Sequence, residues 1–160
     1  MAELHNYEAR REELRRQFLA GGETVPEPAG TGGVHHLALI CSDIEATIRF
    51  YTGVVNMRLT NIIQNRDEPS STHIFLDMGG GNLLAFFDFP ILGSDATARG
   101  VGSMHHVAIK ARPEAFLAIL ANLKRGGIAY DIHGTEEQGS LYFRDPDNIL
   151  IEINTNPQRY

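Results

Sequence analysis

Apolar residues alternate with polar or small residues in two separate stretches of the chain, and a helical pattern follows each stretch. The first stretch reads GVHHLALICSDIEATIRFY over residues 33–51, and the second reads SMHHVAIKARPEAFLAILA over residues 103–121. Each opens with a His-His pair and a strand-like alternation, after which a helix begins near Asp43 or Pro113. Asp favours the N-cap of a helix and Pro favours its first turn. The chain therefore contains an internal repeat.

Three shorter extended segments follow each predicted helix. Both halves therefore have the pattern of one strand, one helix and three strands, which predicts the α+β class built from paired βαβββ modules. The apolar positions Phe116, Leu117 and Leu120 mark the second helix. The expected parts are module 1 at residues 33–89, a linker at 90–102, module 2 at 103–154 and a C-terminal tail at 155–160.

The first 32 residues have a different character. Residues 2–19 carry an apolar stripe that includes Tyr7, Leu14 and Phe18, and Gly21 and Gly22 follow it. This pattern predicts a surface helix that ends at the glycines. The next stretch, GGETVPEPAGTGG, is a linker by composition. Residues 1–32 are therefore expected to form an N-terminal helical arm and linker, which pack on the domain or on a second subunit.

The overall composition limits the classes of partner that the chain is expected to bind. The chain has 160 residues, of which 42% are hydrophobic and 21% are charged, as in soluble globular proteins. A formal net charge of -6 argues against nucleic acid or an anionic membrane as the main partner. The single cysteine, Cys41, cannot form an internal disulfide. With neither a signal peptide pattern nor an apolar run of transmembrane length, the expected location is the cytoplasm.

Three polar residues fall on strand faces that oppose the predicted core. His36 and His106 alternate with large apolar residues that must face the helices, so both imidazoles lie on the opposite face of their strands. Glu152 lies opposite the isoleucines of the last strand, where burial costs on the order of several kcal/mol unless the carboxylate is paired or metal-bound. Two imidazoles and one carboxylate match an Fe(II) facial triad or a catalytic zinc site. Ordinary core or surface roles are the alternative.

With these features, residues 33–154 resemble the vicinal oxygen chelate superfamily, which includes glyoxalase I, bleomycin resistance proteins, extradiol dioxygenases and fosfomycin-resistance enzymes. The resemblance implies that the two modules form a cup-shaped sheet around a divalent metal, with His36, His106 and Glu152 as ligands. Fe(II) is the expected metal, with Mn(II) or Zn(II) as alternatives. Bleomycin-sequestering members lack these ligands. A homodimer is expected, and the site lies within one chain or is shared between subunits.

The C-terminal segment closely resembles the signature of extradiol dioxygenases. The matching positions are His133, Leu141, Tyr142, Asp145, Pro146, Asp147, Asn148 and Glu152. This resemblance implies that Tyr142 hydrogen-bonds a substrate hydroxyl near the metal and that His133 helps to bind the substrate. Two positions depart from the signature: Asp131 replaces a small or aliphatic residue, and Asn148 replaces Gly or Pro. The run from Leu141 to Asp147 also resembles fosfomycin-resistance enzymes.

Module 1 departs from related enzymes at two places. Where glyoxalase I has a fourth ligand, this chain has Ala85 and Phe86, and the nearest carboxylate, Asp88, is out of register by about two residues. Where large extradiol enzymes have an acid-base histidine, this chain has Asn82, and His73 is a candidate replacement. Loss of a positioned acid-base group commonly costs about 10²–10⁴-fold in rate. This departure bears on the proton transfers of ring cleavage and leaves the predicted metal site intact.

The leading expectation is a non-haem Fe(II) dioxygenase of the extradiol type, which takes a catecholic small molecule and O2 as substrates. Four residues are candidates for an aromatic wall, although Phe at alternating strand positions is more often part of the core: Phe75, Phe86, Phe87 and Phe89. One alternative is a fosfomycin-resistance-like thiol transferase or epoxide hydrolase with Mn(II), for which Lys110 and Arg144 are candidate cations. A second is a glyoxalase-type lyase or isomerase, and a third is a non-catalytic protein that holds an aromatic ligand.

Overall fold

The computed structural model describes residues 7–18, 33–92, 95 and 97–156 of the chain. The chain divides into two units, residues 1–33 and residues 34–160. In the first unit, helix α1 covers Tyr7–Phe18, and the remainder of the predicted arm and linker lies outside the described residues. No helix in the described ranges is both long and apolar enough to span a membrane.

Module 1 lies in the second unit and consists of four strands and one helix. Its elements are β1 (His36–Cys41), α2 (Ile44–Gly53), β2 (Arg58–Gln64), β3 (Thr72–Gly79) and β4 (Asn82–Asp88). The strands lie side by side in the order β1-β4-β3-β2. Strand β1 is parallel to β4, whereas the other neighbours are antiparallel. A short 3-10 helix, Pro90–Leu92, follows β4.

Module 2 repeats this topology. Its elements are β5 (Val107–Lys110), α3 (Pro113–Gly126), β6 (Tyr130–Gly134), β7 (Gly139–Arg144) and β8 (Leu150–Asn154). The strand order is β5-β8-β7-β6, with β5 parallel to β8 and the other pairs antiparallel. Two mixed four-stranded sheets of identical connectivity confirm the predicted α+β class and the paired βαβββ modules.

The helix boundaries follow from local chemistry. The Asp43 side chain accepts a hydrogen bond from the Ala46 amide at 3.0 Å and caps α2, and Pro113 is the first residue of α3. Helix α3 ends at Gly126, and its C-cap is Gly127, whose φ of 63° suits glycine. Leu117, one of the apolar residues that mark this helix, is 44% exposed. The buried stripe follows helical spacing instead and consists of Phe116, Ile119, Leu120 and Leu123.

The two modules are joined through the start and end of α2. The Tyr51 hydroxyl donates to Asp145 Oδ2 at 3.0 Å, and both residues are buried. The Ser42 amide donates to both oxygens of Asp147 at 3.1 and 3.2 Å. From α3, Asn122 Nδ2 donates to a backbone carbonyl at the end of α2 at 2.9 Å. These bonds hold the helices within the common core.

Candidate metal centre

Two of the three predicted ligands lie next to each other in module 2. His106 immediately precedes β5, and the strand register places Ala108 of β5 opposite Glu152 of β8. The His106 Nε2 atom lies 2.9 Å from Glu152 Oε2, and the two side chains are 29% and 8% exposed. An imidazole nitrogen and a carboxylate oxygen that converge in this way fit a divalent transition metal.

The Glu152 carboxylate has a polar lining on its protein side. Asn154 Nδ2 donates to Glu152 Oε1 at 2.8 Å and also to Ser140 Oγ at 3.0 Å. Burial alone would raise the pKa of Glu152, but hydrogen bonds from Asn154, Ser140 and Tyr142, together with the nearby His106, hold it below its usual value. Glu152 is therefore ionised at neutral pH, as a metal ligand must be.

The predicted substrate-binding residues lie on the same face as this pair. Tyr142 stands directly opposite Glu152 across β7 and β8. Its ring makes edge contacts with His106, at a centroid distance of 6.0 Å, and with His133, at 5.3 Å. Asp131 stands opposite Tyr142 and is exposed on this face. Module 2 thus gathers His106, Glu152, Tyr142 and His133 into one surface.

His36 is not brought to this surface within the chain. Among the residues that the structure describes, no three His, Cys, Asp or Glu side chains lie close enough to hold a metal ion. The His36 ring instead meets Phe75 edge-on at 6.0 Å. The neighbouring His73 stacks on Phe87 at 3.7 Å and lies 4.1 Å from Phe75. The corresponding face of module 1 is therefore aromatic.

The strand registers show how the two faces correspond. Ala38 pairs with Ala85 in module 1 as Ala108 pairs with Glu152 in module 2. Ala85 thus occupies the position of Glu152, and its partner Phe75 occupies the position of Tyr142. Asp88, the other candidate for a fourth ligand, accepts a hydrogen bond from the Thr72 amide at the start of β3. Each chain therefore offers one predicted ligand on module 1 and two on module 2.

Three polar residues singled out in the sequence have roles in turns. Asn82 Nδ2 donates to the carbonyls of Gly79 and Gly80 at 3.3 and 3.2 Å, so its amide holds the β3–β4 turn. Asn148 has a φ of 66°, a left-handed conformation that Asn adopts more readily than most other residues with a side chain. Arg144 Nη1 donates to the Asn148 carbonyl at 2.7 Å and belongs to the β7–β8 turn.

Of the two roles considered for the candidate wall residues, Phe86 has the core role. This residue is fully buried and packs on Tyr51 at 4.9 Å, so it belongs to the core. Phe75 and Phe87 remain on the face of His36 together with His73, whose Nε2 is buried without a hydrogen-bond partner among the described residues. Burial, and secondarily the nearby His36, lower the pKa of His73, which favours a neutral imidazole.

A cavity of about 750 Å³ runs along β5 and was not foreseen from the sequence. Its lining includes His106, Lys110 and Arg112 from module 2, and Leu37, Met78 and Asn82 from module 1. Lys110 was recognised by strand alternation as sharing the face of His106. Arg112 was missed, although its position just before α3 was a usable signal.

Comparison with known proteins gives three results. A sequence profile described as "Glyoxalase/Bleomycin resistance protein/Dioxygenase superfamily" matches residues 33–153. The "Putative ring-cleaving dioxygenase MhqA" of Bacillus subtilis (strain 168) is 31% identical over 142 residues, which cover 82% of this chain and 42% of that protein. The chain spans about two fifths of the length of its curated ring-cleaving relatives.

Solved structures of similar fold include two from different functional groups. A glyoxylase/bleomycin resistance protein/dioxygenase domain from Frankia sp. EAN1pec has a TM-score of 0.68 at 19% identity, covering 79% of this chain and 99% of that one. A mutant of the genomically encoded fosfomycin resistance protein FosX from Listeria monocytogenes has a TM-score of 0.60 at 20% identity, covering 79% and 94%. That structure contains Mn(II) and 1S,2S-dihydroxypropylphosphonic acid.

Proposed function

Because the chain belongs to the glyoxalase/bleomycin resistance protein/dioxygenase superfamily, we propose that it is a non-haem Fe(II) dioxygenase of the extradiol type. The observation that carries the proposal is the 2.9 Å approach of His106 to Glu152, with Tyr142 and His133 on the same face. The names of the ring-cleaving relatives support it. Its substrates would be a catecholic small molecule and O2.

Each residue has a role that follows from its surroundings. His106, Glu152 and His36 would hold the metal, which would supply a common binding point for both substrates and stabilise developing negative charge. Tyr142 already hydrogen-bonds the Glu152 carboxylate, so its hydroxyl lies within reach of a substrate oxygen placed beside that ligand. The exposed His133, in contact with the Tyr142 ring, would bind the outer edge of the substrate.

We further propose that the chain forms a homodimer in which module 1 of one copy supplies His36 to module 2 of the other. The face of His36 carries two exposed apolar side chains, Ile40 at 54% and Ile63 at 43%. A second copy would cover them and would add the third ligand to the pair. The aromatic rings around His36 would then form one wall of a shared site.

Complementation tests the shared site. Glu152→Ala and His36→Ala chains are co-expressed with different tags, and the mixed dimer is purified and its iron measured. If the site is shared between copies, each mixed dimer has one intact site and one doubly substituted site. Since about half of randomly assembled dimers are mixed, about a quarter of all sites would be intact. If each site lay within one chain, every site of the mixed dimer would carry one substitution and would bind no iron. The absence of iron from the mixed dimer would therefore refute sharing.

The enzymatic proposal is tested with protein loaded anaerobically with Fe(II). After air is admitted, oxygen uptake and a yellow ring-opened product are followed across a panel of catechols. His106→Ala and Glu152→Gln are expected to abolish both iron binding and turnover. Glu136→Gln is a matched control, because Glu136 is exposed and pairs with Lys124 away from the site. Stoichiometric iron in the ligand variants would contradict the ligand assignment, and iron-loaded wild type without turnover would contradict the dioxygenase.

The cavity along β5 favours a second candidate, an Mn(II) enzyme that acts on an epoxide phosphonate such as fosfomycin. Lys110 and Arg112 line this cavity beside His106 and could pair with a phosphonate. Expression in a fosfomycin-sensitive bacterium should then raise resistance, and Lys110→Gln together with Arg112→Gln should abolish the gain. Unchanged sensitivity with the wild-type chain would exclude this candidate.

A further inference from the structure

Each predicted histidine ligand hydrogen-bonds the histidine that precedes it. The Nδ1 atoms of His35 and His36 lie 2.8 Å apart, and those of His105 and His106 lie 2.7 Å apart. The rings meet edge to face in both pairs, at interplanar angles of 80° and 78°. The contact recurs although module 1 surrounds it with aromatic rings and module 2 with polar groups. It is therefore a property of the repeat.

A bond between two Nδ1 atoms couples the tautomers of the two rings. A neutral imidazole carries its proton on one nitrogen only, so one ring must donate through Nδ1 and the other must accept. When His106 donates, its Nε2 has a free lone pair, and His105 carries its own proton on Nε2. When His105 donates, the His106 proton lies on Nε2, which then cannot bind a metal.

We propose that His35 and His105 are positioning residues, whose Nδ1 atoms accept the Nδ1 proton of the metal ligands His36 and His106. In most metal sites a carboxylate, a backbone carbonyl or a water accepts this proton and so fixes the ring and its tautomer. Here an imidazole of the adjacent residue does so. The inference rests on the proposed function only in taking His36 and His106 as ligands.

In module 2, the proposal implies that the protons of the His105–His106 pair move when a metal binds. Without metal, the 2.9 Å contact with the Glu152 carboxylate places a proton on His106 Nε2. In the form of the pair in which both rings are neutral, His105 is then the donor through Nδ1. On metal binding, His106 releases its Nε2 proton to water and takes the Nδ1 proton of His105. His105 then takes a proton from water on Nε2. Both imidazoles stay neutral and the pair neither gains nor loses a proton.

NMR of protein with ¹⁵N-labelled histidine tests this rearrangement, with Zn(II) as a diamagnetic probe. Long-range proton–nitrogen spectra report which ring nitrogen carries the proton. In the metal-free protein, His105 is expected as the Nδ1–H tautomer and His106 as the Nε2–H tautomer. Zinc should convert His105 to the Nε2–H tautomer. A His105 that carries its proton on Nδ1 in the zinc-bound protein would overturn the inference.

A pair of substitutions separates positioning from a structural role. In His105→Asn, the amide oxygen can replace Nδ1 as acceptor, whereas His105→Leu has a similar size and no acceptor. The zinc Kd, measured against a chelator, should rise about 10–100-fold in His105→Leu and stay close to wild type in His105→Asn. Both variants should fold, because His105 is exposed.

The outcomes distinguish this inference from the proposed function. Wild-type affinity in His105→Leu, or equal losses in both variants, would overturn the positioning role. Wild type that binds no zinc would overturn it together with the ligand assignment. A third outcome is that zinc binds more weakly to His105→Leu than to wild type and His105→Asn, but the protein has no ring-cleaving activity. That outcome would support the positioning role and refute only the dioxygenase. The same pair of substitutions at His35 tests module 1.

Discussion

The buried hydrogen bond between Tyr51 and Asp145 joins the two modules and can be removed by deleting one oxygen atom. Tyr51 is 0% exposed and Asp145 is 6% exposed, and the hydroxyl donates to Asp145 Oδ2 at 3.0 Å. The other oxygen, Oδ1, accepts hydrogen bonds from the amides of Asp147 and Ile149 at 3.0 and 2.8 Å. Tyr51→Phe keeps the ring in place and removes the donor to Oδ2.

The expected loss follows from the charge and burial of the acceptor. A hydrogen bond to a charged group contributes about 1.5–3 kcal/mol to stability. Phenylalanine fills the same space, so no cavity adds to this cost. The free energy of unfolding should therefore fall by about 2 kcal/mol at neutral pH. For a domain of this size, each kcal/mol lowers Tm by about 2–4 °C, so a fall of about 4–8 °C is expected.

The pH dependence of this loss has a definite sign. Burial raises the pKa of Asp145 above its usual value, although the hydrogen bonds from Ile149, Tyr51 and Asp147 oppose the rise. A raised folded-state pKa gives stability that is fully present below the unfolded pKa and is lost as pH rises through the folded pKa. Removing the Tyr51 hydroxyl raises that pKa further. The deficit of Tyr51→Phe should therefore grow as pH rises from about 4 to 7.

Urea unfolding followed by far-UV circular dichroism at several pH values measures both effects. Tyr130→Phe serves as the control, because the half-buried Tyr130 hydroxyl has no hydrogen-bond partner within the described part of the chain. The control should match wild type throughout. A Tyr51→Phe variant as stable as wild type at pH 7, or a deficit that shrinks as pH rises, would refute the reasoning.

Three further predictions concern single positions. Burial raises the pKa of Cys41 to about 11, so a thiol reagent at pH 8 should label it only after unfolding, and rapid labelling of native protein would contradict its burial. Gly139→Ala should lower stability by about 3 kcal/mol or more, because φ is +147° and a Cβ would lie 2.2 Å from the His133 carbonyl. Gly53→Ala, with open space around it, is its matched control, and equal stability of the two in urea would refute the clash. Asn148→Gly should leave stability unchanged and Asn148→Leu should lower it by about 1–2 kcal/mol, since φ is 66°; equal unfolding midpoints would refute the strain.

The sequence by itself determined the repeat, the order of the elements and the faces of the strands. Alternation along a strand is a local property of the backbone, so the isoleucines beside Glu152 were sufficient to place it on the face opposite the core. The helix starts at Asp43 and Pro113 were equally local. The sequence did not decide whether Phe86 belongs to an aromatic wall or to the core, and the structure places it in the core. A single pattern does not distinguish a fully buried position from its neighbour when both residues are large and apolar.

Only the tertiary structure decided which residues meet across strands and modules. Register places Tyr142 opposite Glu152 and gives Ala85 the equivalent position in module 1, so the two faces differ in chemistry although their topology is the same. The position of module 1 relative to module 2 depends on contacts such as the hydrogen bond between Tyr51 and Asp145. Register and module packing arise from hydrogen bonds and burial between residues far apart in the chain. No local pattern of side chains encodes them.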